Sequence, residues 1–265
     1  MQVPLSRTTI ILALDISRSM CATDVFPNRL TVAQEAASAF IEDQPGGTQI
    51  GIVAFADFAE LVVPPTNDKE VLQEAIRNLK TSLGTAIGSA TLKAIDAIAE
   101  INTDVAPSGL NLSAEQPGSG LEGEEYLPDI IVLLTDGANT RGPRPIDAAQ
   151  QAADRQVRVY TIGFGTTEPK ELVCSAEQLG TDAFREGFGG GFVTSNFRRF
   201  LVLDEPTLQA VADITGGSYF RAENADQLVE VFLDLPSQIV LQSERVEVSV
   251  AFAALGAVFA TLAVA

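Results

Sequence analysis

The sequence predicts an α/β protein with a Rossmann-like, doubly wound and mostly parallel six-stranded sheet, one antiparallel edge strand and helices on both faces. Several short segments are apolar at every position, as are strands that a parallel sheet buries on both faces. Segments with apolar residues at helical spacing alternate with these strands, and this alternation is typical of βαβ units. A chain of 265 residues is long enough for one large domain or two small ones.

Six segments of the chain are predicted to be strands. They are residues 8–15, 49–55, 59–63, 129–135 and 157–164, with a short last strand at Tyr219 and Phe220. A short interval separates the second strand from the third, which indicates a hairpin closed by Pro64 and Pro65 and therefore an antiparallel edge strand. Asn28 is placed to cap the first helix. The predicted helices are residues 29–42, 68–79, 86–101, 145–156, 204–215 and 225–240.

Two long polar stretches interrupt this alternation. Residues 103–128 are rich in Pro, Gly, Ser and Glu, and residues 165–203 contain a cluster of glycines around Phe188 and Phe192. We predict that the first is a solvated flexible loop, with a functional acidic surface as the alternative, and that the second is a mobile hairpin or loop. Both are insertions in one domain over residues 1–243. The glycine cluster lacks the strand-turn-helix context of a phosphate-binding loop.

Composition narrows the range of functions. The chain has 35 acidic and 17 basic residues, a formal net charge of −18, which argues against a nucleic-acid partner because phosphate binding needs a basic face. It contains no histidine, which removes Ser-His-Asp catalysis and the usual histidine zinc sites.

Oxygen-bearing side chains gather where three predicted loops meet. Asp15, Ser17 and Ser19 follow the first strand, Thr85 lies in a Gly-Thr turn before a helix, and Asp136 ends the fourth strand. Right-handed crossovers bring the carboxyl ends of parallel strands to one edge, where ligands bind in open α/β sheets. Carboxylates and hydroxyls are the ligands that hard divalent cations prefer, so the sequence predicts a site for Mg²⁺, with Mn²⁺ or Ca²⁺ as alternatives.

Each part of this constellation also has a structural reading. Asp15 and Asp136 are residue types that cap helices and turns, and serine and threonine beside glycine often form turns. A D-x-S-x-S pattern alone arises frequently by chance. Its position after a buried strand, together with two further turns at later element ends, favours the metal site.

The pattern resembles the von Willebrand factor type A domain and its metal-ion-dependent adhesion site over about residues 5–240. The resemblance implies that Ser17, Ser19 and Thr85 contact the cation directly, and that Asp15 and Asp136 act through water. The motifs that carry it are Asp15-Ile16-Ser17-Arg18-Ser19, Gly84-Thr85 and Leu134-Thr135-Asp136-Gly137.

Longer motifs lie at residues 19–25, 27–30, 51–56, 84–88 and 160–163. They resemble the bacterial membrane-anchored branch of aerotolerance-type or calcium-activated-chloride-channel-like proteins, although no pore segment supports a channel. Many members have glycine between the two serines, where this chain has Arg18, and this departure bears on partner specificity more than on metal binding. Asp24 is predicted to cap a loop, with an extra carboxylate near the site as the alternative.

The two cysteines leave two possibilities open. By number alone, Cys21 and Cys174 are expected to be buried thiols, since free cysteine prefers the interior. Their loops are predicted to emerge at the same edge of the sheet, which brings the Cα atoms within the ~7 Å that a disulfide requires. A disulfide favours a domain outside the cytoplasm.

The C-terminal residues 246–265 are predicted to form an apolar transmembrane helix. The run from Val248 to Ala265 carries no charged residue and is near the minimum length for a span. The alternative is a helix docked on the domain. The anchor predicts a protein of the cell membrane with a single C-terminal span. A disulfide would place its soluble domain outside the cytoplasm.

Together these features predict a membrane-tethered, non-enzymatic module that binds proteins through a metal ion. Hydroxyl ligands keep the local negative charge low, so the cation stays electrophilic enough to take an Asp or Glu from a partner. The family resemblance implies work with a MoxR-type AAA ATPase in envelope protein assembly. Two alternatives are a metal-dependent hydrolase of phosphate esters, which lacks an evident general base, and a structural scaffold with an inactive metal site.

Overall fold

The computed structural model describes residues 8–110, 127–166, 171–179 and 203–243. The predicted insertions, residues 103–128 and 165–203, lie mostly outside these ranges, and the predicted transmembrane helix lies wholly outside them. The chain divides into two compact units, Met1–Leu233 and Asp234–Ala265. The described part of the second unit is the end of one helix.

The predicted sheet is confirmed as a six-stranded sheet with strand order β3-β2-β1-β4-β5-β6. All neighbouring strands are parallel except β2 and β3, so the antiparallel strand is at the edge. The strands are β1 (Thr9–Asp15), β2 (Gln49–Phe55), β3 (Ala59–Thr66), β4 (Ile130–Thr135), β5 (Arg158–Phe164) and β6 (Tyr219–Ala222).

The six predicted helices are confirmed, with ends that differ by a few residues. Asn28 caps α1, since its side-chain oxygen accepts a hydrogen bond of 2.9 Å from the Thr31 N–H. The helices are α1 (Arg29–Asp43), α2 (Lys69–Arg77), α3 (Ile87–Ala99), α4 (Pro145–Ala153), α5 (Ala176–Leu179), α6 (Glu205–Thr215) and α7 (Ala225–Ser243), with a 3₁₀ turn at Arg18–Cys21. The short helix α5 lies inside the second predicted insertion and was not predicted.

The central strand β1 is buried along its whole length, as its unbroken apolar run predicts. Successive side chains of a strand point to opposite faces of the sheet. On one face, Ile11 and Ala13 join a core cluster with residues of α3, α4 and α6. On the other face lies α1, whose Phe40 ring packs 5.4 Å from Phe232 of α7. Helices therefore cover both faces, as predicted.

The edge strand β3 is longer than predicted. It runs through Pro64 and Pro65 to Thr66 instead of ending before the prolines. An edge strand tolerates proline because one side of its backbone has no strand to pair with. The pairing with β2 shifts register between Ile50 and Val53, where the prolines approach.

Helix α7 ends at Ser243 within the described residues. Across the described ranges of the chain, no helix combines the length and apolar character that crossing a membrane requires. The transmembrane helix predicted at residues 246–265 falls outside those ranges and stays a prediction.

Candidate metal centre

Asp15 ends the central strand β1 and is fully buried. One of its carboxylate oxygens accepts a hydrogen bond of 2.7 Å from the Ser17 N–H, and the other accepts one of 2.6 Å from the Thr135 hydroxyl of β4. Burial, together with the nearby charge of Asp136, raises the pKa of Asp15 to about 7. Both donors are neutral, so a bound cation would supply a positive charge that this buried carboxylate lacks in those contacts.

The two serines connect Asp15 to the second carboxylate. The Ser17 and Ser19 hydroxyl oxygens lie 2.7 Å apart, and the Ser19 hydroxyl donates to Asp136 Oδ1 at 2.7 Å. All three side chains are buried. The structure thus brings four of the five predicted site residues into one hydrogen-bonded cluster at the carboxyl ends of β1 and β4.

Thr85, the fifth predicted residue, lies in the loop before α3. This loop runs beside the Ser17 loop, where Ser17 and Ser82 form a parallel bridge and the Ser82 N–H donates to the Ile16 carbonyl at 2.9 Å. The Thr85 side chain is buried. The backbone therefore brings the Thr85 loop to the edge of the sheet that carries the two serines.

The loop after β4 holds Thr85 from the other side. The Thr140 hydroxyl accepts a hydrogen bond of 2.9 Å from the Thr85 N–H, and the Thr140 N–H donates one of 2.8 Å to the Thr85 carbonyl. Asn139 accepts from the Ile87 N–H at 2.8 Å, which supplies the cap that α3 lacks at its own N-cap position. The Thr85 turn is thus fixed relative to the loop that carries Asp136.

Arg29 is part of the centre and was missed by the sequence analysis. It is fully buried in the first turn of α1 and donates from Nη1 to Asp136 Oδ2 at 2.9 Å. Its Nε and Nη2 donate to the two oxygens of Asp24 at 2.8 and 2.6 Å. A cation in the first turn of a helix opposes the helix dipole, and that local conflict was the signal available in the sequence.

Asp24, predicted to cap a loop or to be an extra carboxylate near the site, binds Arg29 and Thr166. Its Oδ2 also accepts from the Thr166 N–H and hydroxyl, both at 2.8 Å. Burial alone would raise the pKa of Asp24, but the bonds and charge of Arg29 and the Thr166 N–H hold it below its usual range. Burial raises the pKa of Asp136, although Arg29 opposes that shift.

Of the two possibilities for the cysteines, the structure has the disulfide: Cys21 is bonded to Cys174, and their Cα atoms lie 5.0 Å apart, within the predicted distance. The expectation of two buried thiols, made from their number alone, is wrong. The backbone around it is also paired: Ala22 and Leu172 form an antiparallel bridge, and the Val173 N–H donates to the Cys21 carbonyl at 2.8 Å. Residues 171–179 are therefore fixed to the end of the metal-site loop.

Gln178 of α5 extends this attachment to two further elements. Its side-chain oxygen accepts from Asn28 at 2.9 Å, and its side-chain nitrogen donates to the Thr31 hydroxyl at 3.0 Å. Its carbonyl accepts from the Thr81 N–H at 2.7 Å, in the loop that leads to Thr85. Residues 171–179 thus contact the start of α1 and two of the three site loops.

The donor set fits a hard divalent cation. It consists of carboxylate and hydroxyl oxygens, which Mg²⁺, Mn²⁺ and Ca²⁺ accept. Among the described residues, no three His, Cys, Asp or Glu side chains form a group that could hold a metal ion. Arg18, the departure noted in the motif, is half-buried in the 3₁₀ turn.

Comparison with known sequences agrees with this fold. Residues 10–139 match the profile of the von Willebrand factor type A domain. A UPF0353 protein of Mycolicibacterium gilvum is 32% identical over 263 residues, which cover 97% of this chain and 68% of the relative. A UPF0353 protein of Mycolicibacterium vanbaalenii is 31% identical over 269 residues, 99% of this chain and 69% of the relative.

Solved structures with the same fold include two bacterial proteins from Bacteroides species. BatB of Bacteroides thetaiotaomicron is 25% identical, with a TM-score of 0.62 over 88% of this chain and 98% of its own. An aerotolerance-related membrane protein of Bacteroides fragilis is 23% identical, with a TM-score of 0.61 over 86% of this chain and 97% of its own.

A third structure with this fold contains a metal. The mussel byssus protein PTMP1, in a form with a zinc-occupied MIDAS motif, is 18% identical, with a TM-score of 0.53 over 87% of this chain and 45% of its own. The predicted fold and the predicted resemblance to the aerotolerance branch are confirmed. The chain belongs to the UPF0353 family and carries a von Willebrand factor type A domain.

Proposed function

We propose that this chain is a non-catalytic, metal-dependent protein-binding module. One observation carries the proposal: contacts of 2.7 Å connect the buried carboxylates of Asp15 and Asp136 at the carboxyl edge of the sheet, through the Ser17 N–H and the two serine hydroxyls. Asp15, Ser17, Ser19, Thr85 and Asp136 would hold one divalent cation, most readily Mg²⁺. The ion would supply a Lewis-acidic position for an oxygen ligand from outside the chain.

The partner would fill that position with the carboxylate of an Asp or Glu. Hydroxyl ligands add no charge, and Arg29 neutralises part of the charge of Asp136, so a bound dication remains attractive to an anion. The zinc-occupied site of PTMP1 supports the idea that this fold can hold a divalent cation.

The location and the larger system are also part of the proposal. The disulfide favours an oxidising compartment, and the related Bacteroides fragilis structure is that of a membrane protein. We place the domain outside the cytoplasm at the cell membrane, anchored by residues 246–265. A MoxR-type AAA ATPase system for envelope protein assembly is the proposed setting.

Titration calorimetry with Mg²⁺, Mn²⁺ and Ca²⁺ tests the metal site in the full chain. We expect binding by the wild type and a loss of at least about tenfold in affinity for Asp15→Ala and Ser17→Ala, since both remove groups at the centre. Asp213→Ala is the matched control. Asp213 is exposed near the C-terminal end of α6, which leads into the start of β6 and so lies toward the amino-terminal ends of the parallel strands, away from the site. Equal affinities for the wild type and both site variants would reject the site.

A displayed random-peptide library tests the partner chemistry. Selection on immobilised wild type in Mg²⁺, with elution by EDTA, should enrich peptides that contain Asp or Glu. Replacement of that acid by Asn or Gln, or of Asp15 by Ala in the protein, should abolish capture. Metal-dependent capture of peptides without any acidic residue would contradict carboxylate ligation.

A further inference from the structure

We propose that Arg29 determines which cation the centre accepts, by restricting Asp136 to a single available oxygen. The inference rests on the proposed metal site and adds cation selectivity to it. An Asp136 with one free oxygen can bind an ion through that oxygen or through a water, but it cannot chelate the ion with both oxygens. Ca²⁺ readily takes bidentate carboxylates and seven or eight ligands, whereas Mg²⁺ requires near-octahedral single contacts. The restriction therefore favours Mg²⁺ over Ca²⁺.

The two oxygens of Asp136 face different groups. Oδ1 accepts from the Ser19 hydroxyl at 2.7 Å and so faces the proposed ligands. Oδ2 accepts from Arg29 Nη1 at 2.9 Å. Both side chains of this ion pair are at most 1% exposed, so water does not compete for Oδ2. A guanidinium stays protonated at any physiological pH and holds Oδ2 permanently.

Arg29 is itself held in place from its other side. The two carboxylate oxygens of Asp24 accept hydrogen bonds from Arg29 Nε and Nη2, and this bidentate geometry is the strongest for an arginine–carboxylate pair. Asp24 in turn accepts from the Thr166 N–H and hydroxyl. The guanidinium cannot turn away from Asp136 without breaking these bonds.

The backbone is shaped for the same side chain. Gly165 has a φ of +118°, and a Cβ at this position would collide with the Arg29 guanidinium. Glycine at position 165 therefore leaves free the space that the Arg29 side chain occupies where it contacts Asp136. A structural ion pair between Arg29 and Asp24 alone would not require the third contact to a carboxylate of the metal centre.

The double variant Arg29→Met/Asp24→Asn tests the inference. It removes the cation and its outer partner together, so no unpaired charge is left at position 24. Asp136 loses Arg29 but keeps the hydrogen bond from the Ser19 hydroxyl, and the metal ion added in the titration restores a positive charge beside it. Asp24→Asn alone is the control, since it keeps the contact between Arg29 and Asp136. Far-UV circular dichroism verifies that both variants of the full chain fold.

Affinities for Mg²⁺ and Ca²⁺ are measured by competition with Mn²⁺, with free Mn²⁺ followed by electron paramagnetic resonance. We expect the wild type and Asp24→Asn to bind Mg²⁺ more tightly than Ca²⁺, and the double variant to shift the affinity ratio toward Ca²⁺ by about tenfold or more. General damage to the site weakens the binding of both ions and leaves the ratio of their affinities unchanged.

The outcomes separate the inference from the proposed function. An unchanged ratio in a folded double variant, with Asp15-dependent metal binding in the wild type, overturns the inference and leaves the metal site standing. A wild type that binds Ca²⁺ more tightly than Mg²⁺ overturns it without any variant. A wild type that binds none of these ions overturns both.

Discussion

Gly165→Ala is expected to disrupt the Arg29 ion pairs without altering any charged residue. The new Cβ collides with the guanidinium, and alanine must also adopt the φ of +118°. Such a backbone conformation costs about 1–3 kcal/mol for a residue other than glycine. Displacement of Arg29 leaves Asp136 and Asp24 buried without their cation, which costs about 3–5 kcal/mol. The free energy of unfolding should therefore fall by roughly 4 kcal/mol or more.

Gly109→Ala separates the two contributions. Gly109 also has a positive φ, +79°, but no atom lies within 4 Å of a Cβ placed there. Its replacement should cost only the backbone term of about 1–2 kcal/mol. The prediction is thus a difference of about 3 kcal/mol between the two variants, which isolates the displacement of Arg29.

Urea denaturation followed by far-UV circular dichroism measures both variants, because the chain has no tryptophan to report on unfolding by fluorescence. The titrations are made in EDTA, so that bound metal does not add to the stability of the native state. A difference below about 1 kcal/mol between Gly165→Ala and Gly109→Ala would refute the view that Arg29 is locked in place by this glycine.

Two further predictions concern the disulfide and the acid dependence of stability. The Cys21→Ser/Cys174→Ser variant should lose up to about 5 kcal/mol of unfolding free energy, because the disulfide closes a loop of 153 residues in the unfolded chain. Dithiothreitol should lower the stability of the wild type and leave that of the variant unchanged. A loss below about 1 kcal/mol would contradict a stabilising disulfide. Asp24 has a lowered pKa in the fold, so its stabilisation is present above its ordinary pKa of about 4 and is lost as the pH falls through the lowered value. Below about pH 4 the wild type should therefore lose more stability than Asp24→Asn, whereas parallel curves from urea titrations would argue against the ion pair.

The fold could be predicted because its determinants are local in sequence. The apolar run that ends at Asp15 can be satisfied only in a strand covered on both faces, and the helical spacing of apolar residues in α1 and α3 fixes their buried sides. The end of β3 was predicted wrongly because Pro64 and Pro65 terminate strands in most contexts. They do not do so at an edge, and edge position depends on the complete sheet.

The site was only partly predictable, because the residues that neutralise its carboxylates and hold its loops are remote from them in the sequence. Asp15, Ser17 and Ser19 share one short motif, and hydrogen bonds connect them in the structure. Arg29 meets Asp136 across 107 residues, and no periodic pattern encodes that contact. Gln178 likewise lies in a polar stretch that composition alone assigns to an insertion, although three of its groups make specific contacts.

The attachment of residues 171–179 to the loop after β1 has a consequence for biosynthesis. Cys21 leaves the ribosome early, but the cysteine that bonds to it follows 153 residues later. Until then the nascent chain carries a reduced thiol at the end of the loop after β1, while β1, β2 and β4 are already available to pair. Assembly of the centre is therefore a late event that requires an oxidant as well as a folded sheet. A cell that makes this protein under reducing conditions should accumulate molecules with a native sheet and an unfinished binding edge.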